Sequence, residues 1–385
     1  MDISYILNHL GEERQEYYGA VAPPVFQTTN FCFQSVSQMR KQLTKELENP
    51  FYTRGFNPTV STLRMKLAAL EGTENALVFS SGSAAVAAAV MSVVKSGDHV
   101  ICVQKPYSWT NNLLTKYLSK YGVTTTFVDG KTSSNFEKAI QVNTKLIYLE
   151  SPNSLTFEMQ DIAEVTAIAK KNNIMTIVDN SYNSPLNQQP AKMGADLVVH
   201  SGSKYLNGHS DVVCGVVCGS NSLIMKMFAE EYMTIGSCIS PQDAALILRG
   251  LRTLELRVDR SAATSIKVAE FLEKHPKIKK IHYPFLSSDP QYTLAKKQMK
   301  QGGGLMSIVI EAENEAGIER FADNLKCFLM ATSWGGYESL IFPLCALAAS
   351  KSFEDPLPWN MVRLYIGLEA PEILIEDLKQ ALEKV

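Results

Sequence analysis

Short apolar runs recur through the middle of the chain, each followed by a stretch whose apolar residues return every three or four positions. ALVFS (76–80), HVICV (99–103), TTTFV (124–128), KLIYLE (145–150), IMTIVD (174–179), DLVVH (196–200) and VVCGVVC (212–218) read as strands. Between them Ala84 to Lys95 reads as a helix, as does Asn111 to Tyr121, where Leu113, Leu114, Tyr117 and Leu118 share a side. The alternation predicts βαβ units. Several strands are apolar on both faces, which predicts a large, mostly parallel, seven-stranded sheet covered on both sides.

The pattern differs at the two ends. Pro23-Pro24 and the polar run Gln27-Thr28-Thr29-Asn30 predict extended backbone before a polar helix from about Ser37 to Glu48. Beyond residue 235, one long helical period is predicted from Ala244 to His275, with Pro276 after it. Strands near 278–283, 304–310 and 361–366 follow, then a helix from Pro371 to Leu382. The expected organisation is an arm (1–48), a large α/β domain (49–235) and a smaller C-terminal α/β domain (236–385).

Composition narrows the function classes. Lys plus Arg number 37 against 39 for Asp plus Glu, so no basic field exists to attract nucleic acid or an anionic membrane. Ala76 to Val94 is uncharged, but Ser80-Ser81-Gly82-Ser83 interrupts it, so a strand, a turn and a buried helix are expected rather than a membrane span. The seven cysteines are odd in number and follow no framework spacing, as expected of free thiols in a reducing compartment. The first residues lack a basic stretch followed by an apolar one, and the expected location is cytoplasmic. Cys214 and Cys218 sit within one apolar strand with no second ligand pair, so no metal is expected.

The chemistry-bearing residues fall after strands, where ligands of open α/β sheets bind. After the first strand, Ser81-Gly82-Ser83 turns into a helix whose N–H groups could hold an anion, although a plain structural turn reads equally well. It is neither a P-loop nor a dinucleotide fingerprint. Asp179 ends a buried strand, where a carboxylate needs a partner; a turn-capping Asp is the ordinary alternative. Ser201-Gly202-Ser203-Lys204-Tyr205 follows another strand, and its small, polar neighbours suit an amine of lowered pKa rather than a merely solvated lysine. Together these residues describe a pyridoxal 5′-phosphate site. Gly82, Ser83, Ser201 and Ser203 would take the phosphate, Lys204 the aldehyde and Asp179 the ring nitrogen, with Tyr107 stacked on the ring.

Further segments carry a resemblance that spans nearly the whole chain. They are Ala22-Pro23-Pro24-Val25-Phe26-Gln27-Thr28-Thr29, Tyr52-Thr53-Arg54 with Asn57-Pro58-Thr59, Glu150-Ser151-Pro152 and Val178-Asp179-Asn180. Ser203-Lys204-Tyr205 with Asn207-Gly208-His209-Ser210-Asp211, Arg249 to Leu254, Ser333-Trp334-Gly335-Gly336-Tyr337-Glu338-Ser339 and Arg363 with Gly367-Leu368-Glu369 complete the set. In these stretches the chain resembles the Cys/Met-metabolism family of pyridoxal-phosphate enzymes, which includes cystathionine β- and γ-lyases, cystathionine γ-synthase and methionine γ-lyase. The resemblance implies the aspartate-aminotransferase-like fold and a homotetramer, a dimer of dimers with shared active sites. It implies that Lys204 carries the cofactor, that Asp179 pairs with the pyridine nitrogen, and that Tyr107 stacks. It further implies that Ser81, Gly82, Ser83, Ser201 and Ser203 line the phosphate, and that Tyr52 and Arg54 reach the phosphate of an adjacent subunit. Arg363, helped by Ser333 and bordered by Trp334, would grip the substrate α-carboxylate.

The sequence also departs from the family pattern. Ser83 stands where many members have Met, and Ser203 where Thr is usual. Ser154 aligns with an asparagine beside the cofactor's phenolic oxygen, while Asn153 lies one position early, and which of them bonds that oxygen stays open. The Ser-Trp-Gly-Gly-Tyr-Glu-Ser segment most resembles bacterial cystathionine β-lyases. The expected reaction is β-elimination from a sulfur amino acid, giving a thiol, pyruvate and ammonia. γ-Elimination and γ-replacement are the alternatives.

Overall fold

A computed structural model describes residues 1–347 and 357–385. The large sheet comprises β1 (Asn75–Phe79), β2 (His99–Val103), β3 (Thr124–Val128), β4 (Thr144–Glu150), β5 (Met175–Asp179), β6 (Leu197–Ser201) and β7 (Gly215–Gly219). Their spatial order is β1-β7-β6-β5-β4-β2-β3. β7 is antiparallel to both neighbours, and the pairings from β6 to β3 are all parallel. Residues such as Val100, Ile101, Ile147, Tyr148, Ile177 and Val178 are fully buried, as the two-sided apolar runs require. One consequence matters for the site. The residues after β1, β4, β5 and β6 all emerge at the same edge of the sheet.

Local signals explain where the helices begin. The helix Pro58–Glu71 starts after Asn57, whose side chain accepts the Thr59 N–H at 3.0 Å, and it carries Pro at its first turn. The helix Gly82–Met91 starts after Ser81, whose hydroxyl accepts the Ala84 N–H at 3.1 Å, a cap of about 1 kcal/mol. Ala76 to Val94 is therefore a strand, a turn and a helix. No helix of the described residues is long and apolar enough to cross a membrane. At the N-terminus the short helix Ile3–Asn8 buries Ile6 and Leu7, and Lys66 Nζ donates to both of their carbonyls.

The second sheet holds β8 (Ile278–His282), β9 (Leu305–Ile310), β10 (Leu329–Met330), β11 (Leu340–Pro343) and β12 (Met361–Tyr365), in the order β10-β11-β12-β9-β8. It packs with the helices Leu254–Glu273 and Pro371–Leu382 around Val268, Leu272, Ile308, Leu364 and Leu378. The fold is the expected one, with three local corrections. The single helix expected from Ala244 to His275 is two, Pro241–Leu251 and Leu254–Glu273. Gly250 lies against the loop after β6, where an added Cβ would be 2.2 Å from the Asn207 carbonyl oxygen. Arg257 then reaches back to the carbonyls of Tyr205 and Gly250, at 2.9 and 2.8 Å. Leu251 and Leu254 keep the apolar period running through that break, so the period gave no warning of it. The helix expected from Asn111 to Tyr121 is a short α-helix, Ser108–Asn112, followed by π and 3-10 turns to Tyr121. The last strand of the large sheet starts at Gly215 rather than at 212.

Candidate active site

Lys204 lies in the tight loop after β6, where its own N–H donates to the Ser201 carbonyl at 3.1 Å and its carbonyl accepts the Gly208 N–H at 2.8 Å. Its ammonium donates to Ser333 Oγ at 2.6 Å and sits 5.5 Å from the centre of the Trp334 ring. Trp334 is in turn set edge-on against Tyr205, with ring centres 5.5 Å apart. Burial disfavours the charged amine and the Arg363 guanidinium repels it, with Asp179 opposing, so the Lys204 pKa falls to about 8. About a tenth of the amine is thus free base at pH 7, far more than for an ordinary lysine.

Asp179 ends β5 and is buried. Its Oδ1 accepts the Ser181 N–H at 3.0 Å and the Ser181 hydroxyl at 2.6 Å, and the Tyr148 hydroxyl lies 3.5 Å from Oδ2. Ser181 Oγ also accepts the Ser201 N–H at 2.7 Å, which ties the end of β5 to the end of β6. Burial pushes the Asp179 carboxyl up, against the lowering effect of Ser181 and His200. Among the described residues no lysine or arginine forms an ion pair with it.

The helix Gly82–Met91 points its first turn at the same edge. Ser81 uses its hydroxyl on Ala84, leaving the N–H groups of Gly82 and Ser83 without intrahelical acceptors. A Cβ on Gly82 would lie 3.1 Å from Ser201 Oγ, so helix start and strand end are in contact and Ser201 lies beside the first turn of the helix. Ser203 is committed differently. Its Oγ accepts the Cys214 N–H at 2.8 Å and lies 3.3 Å from the Cys214 carbonyl oxygen, so it pins the lysine loop to the strand beyond. Tyr107 is 39% exposed, which leaves its ring available to stack. Burial pushes its phenol up, with a bond to Ser83 as the main opposing influence.

Arg363, on β12, reaches the Ser333 carbonyl at 3.4 Å, and its guanidinium lies 5.4 Å from the centre of the Phe342 ring. Burial lowers its pKa to about 10, and among the described residues no carboxylate pairs with it. Of the two adjacent candidates on the 150s loop, Asn153 is spent locally. It accepts the Thr156 N–H at 3.0 Å and donates to Thr156 Oγ, also at 3.0 Å. Ser154 is hydrogen-bonded to the Glu150 carboxyl instead. Tyr52 and Arg54 stand apart. Both are exposed, the Arg54 guanidinium sits 5.5 Å from the Tyr52 ring centre, and among the described residues neither bonds to the Lys204 cluster.

Three residues joined to this cluster carried no assigned role in the sequence reading: Glu150, Ser181 and Tyr148. The Ser at two positions beyond a strand-ending Asp is a turn signal that would have found Ser181. Glu150 accepts the Tyr107 N–H at 2.6 Å, and nothing local in sequence joins positions 107 and 150.

The model of the family described as "Cys/Met metabolism PLP-dependent enzyme" matches residues 5–383. The chain belongs to that family. It is 40% identical to the L-methionine gamma-lyase of Treponema denticola, over 98% of this chain and 96% of that one. To the cystathionine beta-lyase of Lactococcus lactis it is 38% identical, over 98% and 97%. The solved structure of cystathionine gamma synthase from Xanthomonas oryzae pv. oryzae, in complex with aminoacrylate and cysteine, has a TM-score of 0.92 and 32% identity, covering 100% of this chain and 98% of that one. The protein is a pyridoxal-phosphate-dependent enzyme of sulfur amino-acid metabolism with the aspartate-aminotransferase-like fold.

The residues fit the cofactor. A buried carboxylate without a cation, an amine of lowered pKa and an unsatisfied helix start converge on one edge of the sheet.

Proposed function

We propose that this enzyme cleaves the carbon–sulfur bond of a sulfur amino acid by β-elimination, releasing a thiol, pyruvate and ammonia. The observation that carries the reading is the Trp334 indole over Lys204, 5.5 Å from Nζ, beside the Ser333 bond. Pyridoxal phosphate, when bound, supplies a carbonyl for the substrate amine and a ring that draws electron density from Cα. Arg363 takes the α-carboxylate through a charge-assisted pair, which sets the substrate's orientation. Lys204 would remove the Cα proton as free amine and pass it to the departing sulfur, which leaves as the thiol. Asp179 would keep a proton on the ring nitrogen, and the first turn of the Gly82–Met91 helix with Ser201 would hold the phosphate.

γ-Elimination requires a further proton transfer at Cβ and room for a longer reacting arm. A bulky indole at the lysine reduces that room. The competing γ-lyase reading is supported by the 40% identical Treponema denticola relative, and a γ-replacement by the Xanthomonas oryzae structure. Incubating the holoenzyme with L-cystathionine and identifying the keto acid separates them. Pyruvate is expected; 2-oxobutanoate as the main product would overturn the β assignment.

We also propose that Tyr52 and Arg54 serve the phosphate of a neighbouring copy within a homotetramer. Their exposure supports this. So does an apolar groove of about 800 Å³ beside Tyr107, lined by Trp109, Leu113, Tyr117 and Ile235, of the kind a second chain would cover.

A further inference from the structure

Glu150 ends β4 in direct register with Asp179 at the end of β5, so two carboxyl groups lie side by side under the cofactor site. Both are buried. The other titratable groups interacting with Glu150 are Cys102 on β2, Tyr148 on β4 and Tyr107. Burial drives the Cys102 thiol, the Tyr148 phenol and the Tyr107 phenol upward, so all three stay neutral. Among the described residues no lysine, arginine or histidine is paired with Glu150. Burial and the like charge both favour one proton staying with the pair at neutral pH, opposed on the Asp179 side by His200 and, with cofactor bound, by the ring nitrogen.

The hydrogen bonds decide which carboxyl keeps it. Asp179 receives the Ser181 N–H and hydroxyl together with the more distant Tyr148 hydroxyl. Glu150 receives the Tyr107 N–H at Oε2 and the Ser154 N–H, one donor fewer than Asp179, and its Oε1 faces the Ser154 hydroxyl, which can accept as readily as donate. Ser154 is half-buried, whereas Glu150 and Asn153 are buried, so Ser154 is the most accessible member of this trio.

We propose that Glu150 is a positioning residue that keeps the proton of the Glu150–Asp179 pair and donates it to Ser154, which turns the Ser154 hydroxyl hydrogen outward as a donor to the cleft. Loss of that proton reverses the bond. Ser154 then donates back to the Glu150 carboxylate and offers the cleft only a lone pair. The Tyr107 N–H bond to Oε2 survives in both states, so the ring stays in place while the polarity beside it inverts. Burial and the Asp179 charge raise the Glu150 pKa to about 8, so the donor form dominates at neutral pH and is lost as pH rises through that value. The proposal rests on Ser154 bordering the cofactor and on Asp179 being the anion, and it is independent of β- against γ-elimination.

The test titrates the absorbance of bound cofactor in four holoenzymes: wild type, Glu150→Gln, Ser154→Ala and the double variant. The glutamine amide donates permanently to Ser154 and its carbonyl still accepts from Tyr107. Glu150→Gln is therefore expected to shift the titration midpoint by about one pH unit, a tenfold change in the equilibrium. In the Ser154→Ala background the same substitution should have no further effect. Superimposable wild-type and Glu150→Gln curves would overturn the proposal, as would an undiminished shift in the Ser154→Ala background. Infrared spectra of wild-type holoenzyme give a second readout that needs no variant to fold. A buried carboxylic-acid band is expected at neutral pH, lost as pH rises, and its absence would sink the idea. The keto acid formed from cystathionine does not depend on these results, so failure here leaves the elimination reading to its own test.

Discussion

Gly335 offers a sharp test of how the loop bearing Ser333 holds Lys204, the proposed catalytic lysine. Its φ is +87°, and a Cβ there would lie 2.7 Å from the Tyr205 nitrogen, 2.8 Å from the Lys204 carbonyl carbon and 2.9 Å from the Lys204 Cα. All three are backbone atoms, so no flexible side-chain end can move aside. Comfortable contacts lie at about 3.5 Å, so Gly335→Ala must push the loop back by roughly 0.8 Å. The left-handed backbone costs an alanine about 1–2 kcal/mol, and overpacking about 1–3 more. Gly97 separates the two costs. Its φ is +88°, nothing lies within 4 Å of an added Cβ, and it sits before β2, away from the site edge. Gly97→Ala should therefore lose stability through the backbone alone and keep its activity. Gly335→Ala should also move Ser333 off Lys204 Nζ, now 2.6 Å away. Because a misplacement of about 1 Å can cost 10²-fold in rate, kcat/KM should fall by about that factor while cofactor remains bound. The assays are thiol release, cofactor absorbance and thermal inactivation, run on both variants in parallel. If Gly335→Ala keeps kcat/KM within about threefold of wild type, the loop does not set the lysine's position and the reasoning fails.

Two further outcomes follow from the site. Asp179→Asn should retain cofactor, judged by absorbance, yet lose about 10²-fold or more in turnover, the scale of removing one preorganised electrostatic group; near-normal turnover would refute its role. Mixing the inactive variants Lys204→Ala and Arg54→Ala under conditions that exchange subunits should restore part of the activity, and no recovery despite proven exchange would confine Arg54 to its own chain.

The strands were legible because each is an apolar run bounded by turn residues, and burial on both faces left little for context to change. Lys204, Asp179 and the Ser81-Gly82-Ser83 turn were legible for a related reason. Strand ends are where such a sheet exposes chemistry, and the structure brings these three together at one such end. The break at Arg252-Thr253 was invisible, since it is forced by the approach of Gly250 to Asn207, a contact between distant parts of the chain. Ser203 shows the same limit at the scale of one hydroxyl. Its sequence neighbourhood suits an anion, but Cys214 lies across the loop and engages it. Glu150 was hidden because its partners, Tyr107 and Asp179, come from other strand ends, and only the sheet order puts them together.

The charges left unmatched in the cleft describe what it receives. Each isolated charge near a protein interior carries a desolvation cost that a partner must offset. Arg363 has no carboxylate among the described residues, which suits the proposed role of receiving a substrate carboxylate, and it lies close enough to Lys204 to lower that amine's pKa. Asp179 has hydroxyl and amide donors but no lysine or arginine partner there, which suits the proposed pairing with a protonated ring nitrogen. The start of the Gly82–Met91 helix offers free N–H groups and no counter-charge. An α-amino acid brings one carboxylate; pyridoxal phosphate brings a dianion and a ring nitrogen. The three vacancies in charge thus correspond to the two molecules of the family's chemistry. The fourth feature, the Glu150 proton beside Asp179, is the one that neither molecule supplies, and it is there because the sheet order forces two carboxyl groups into adjacent positions.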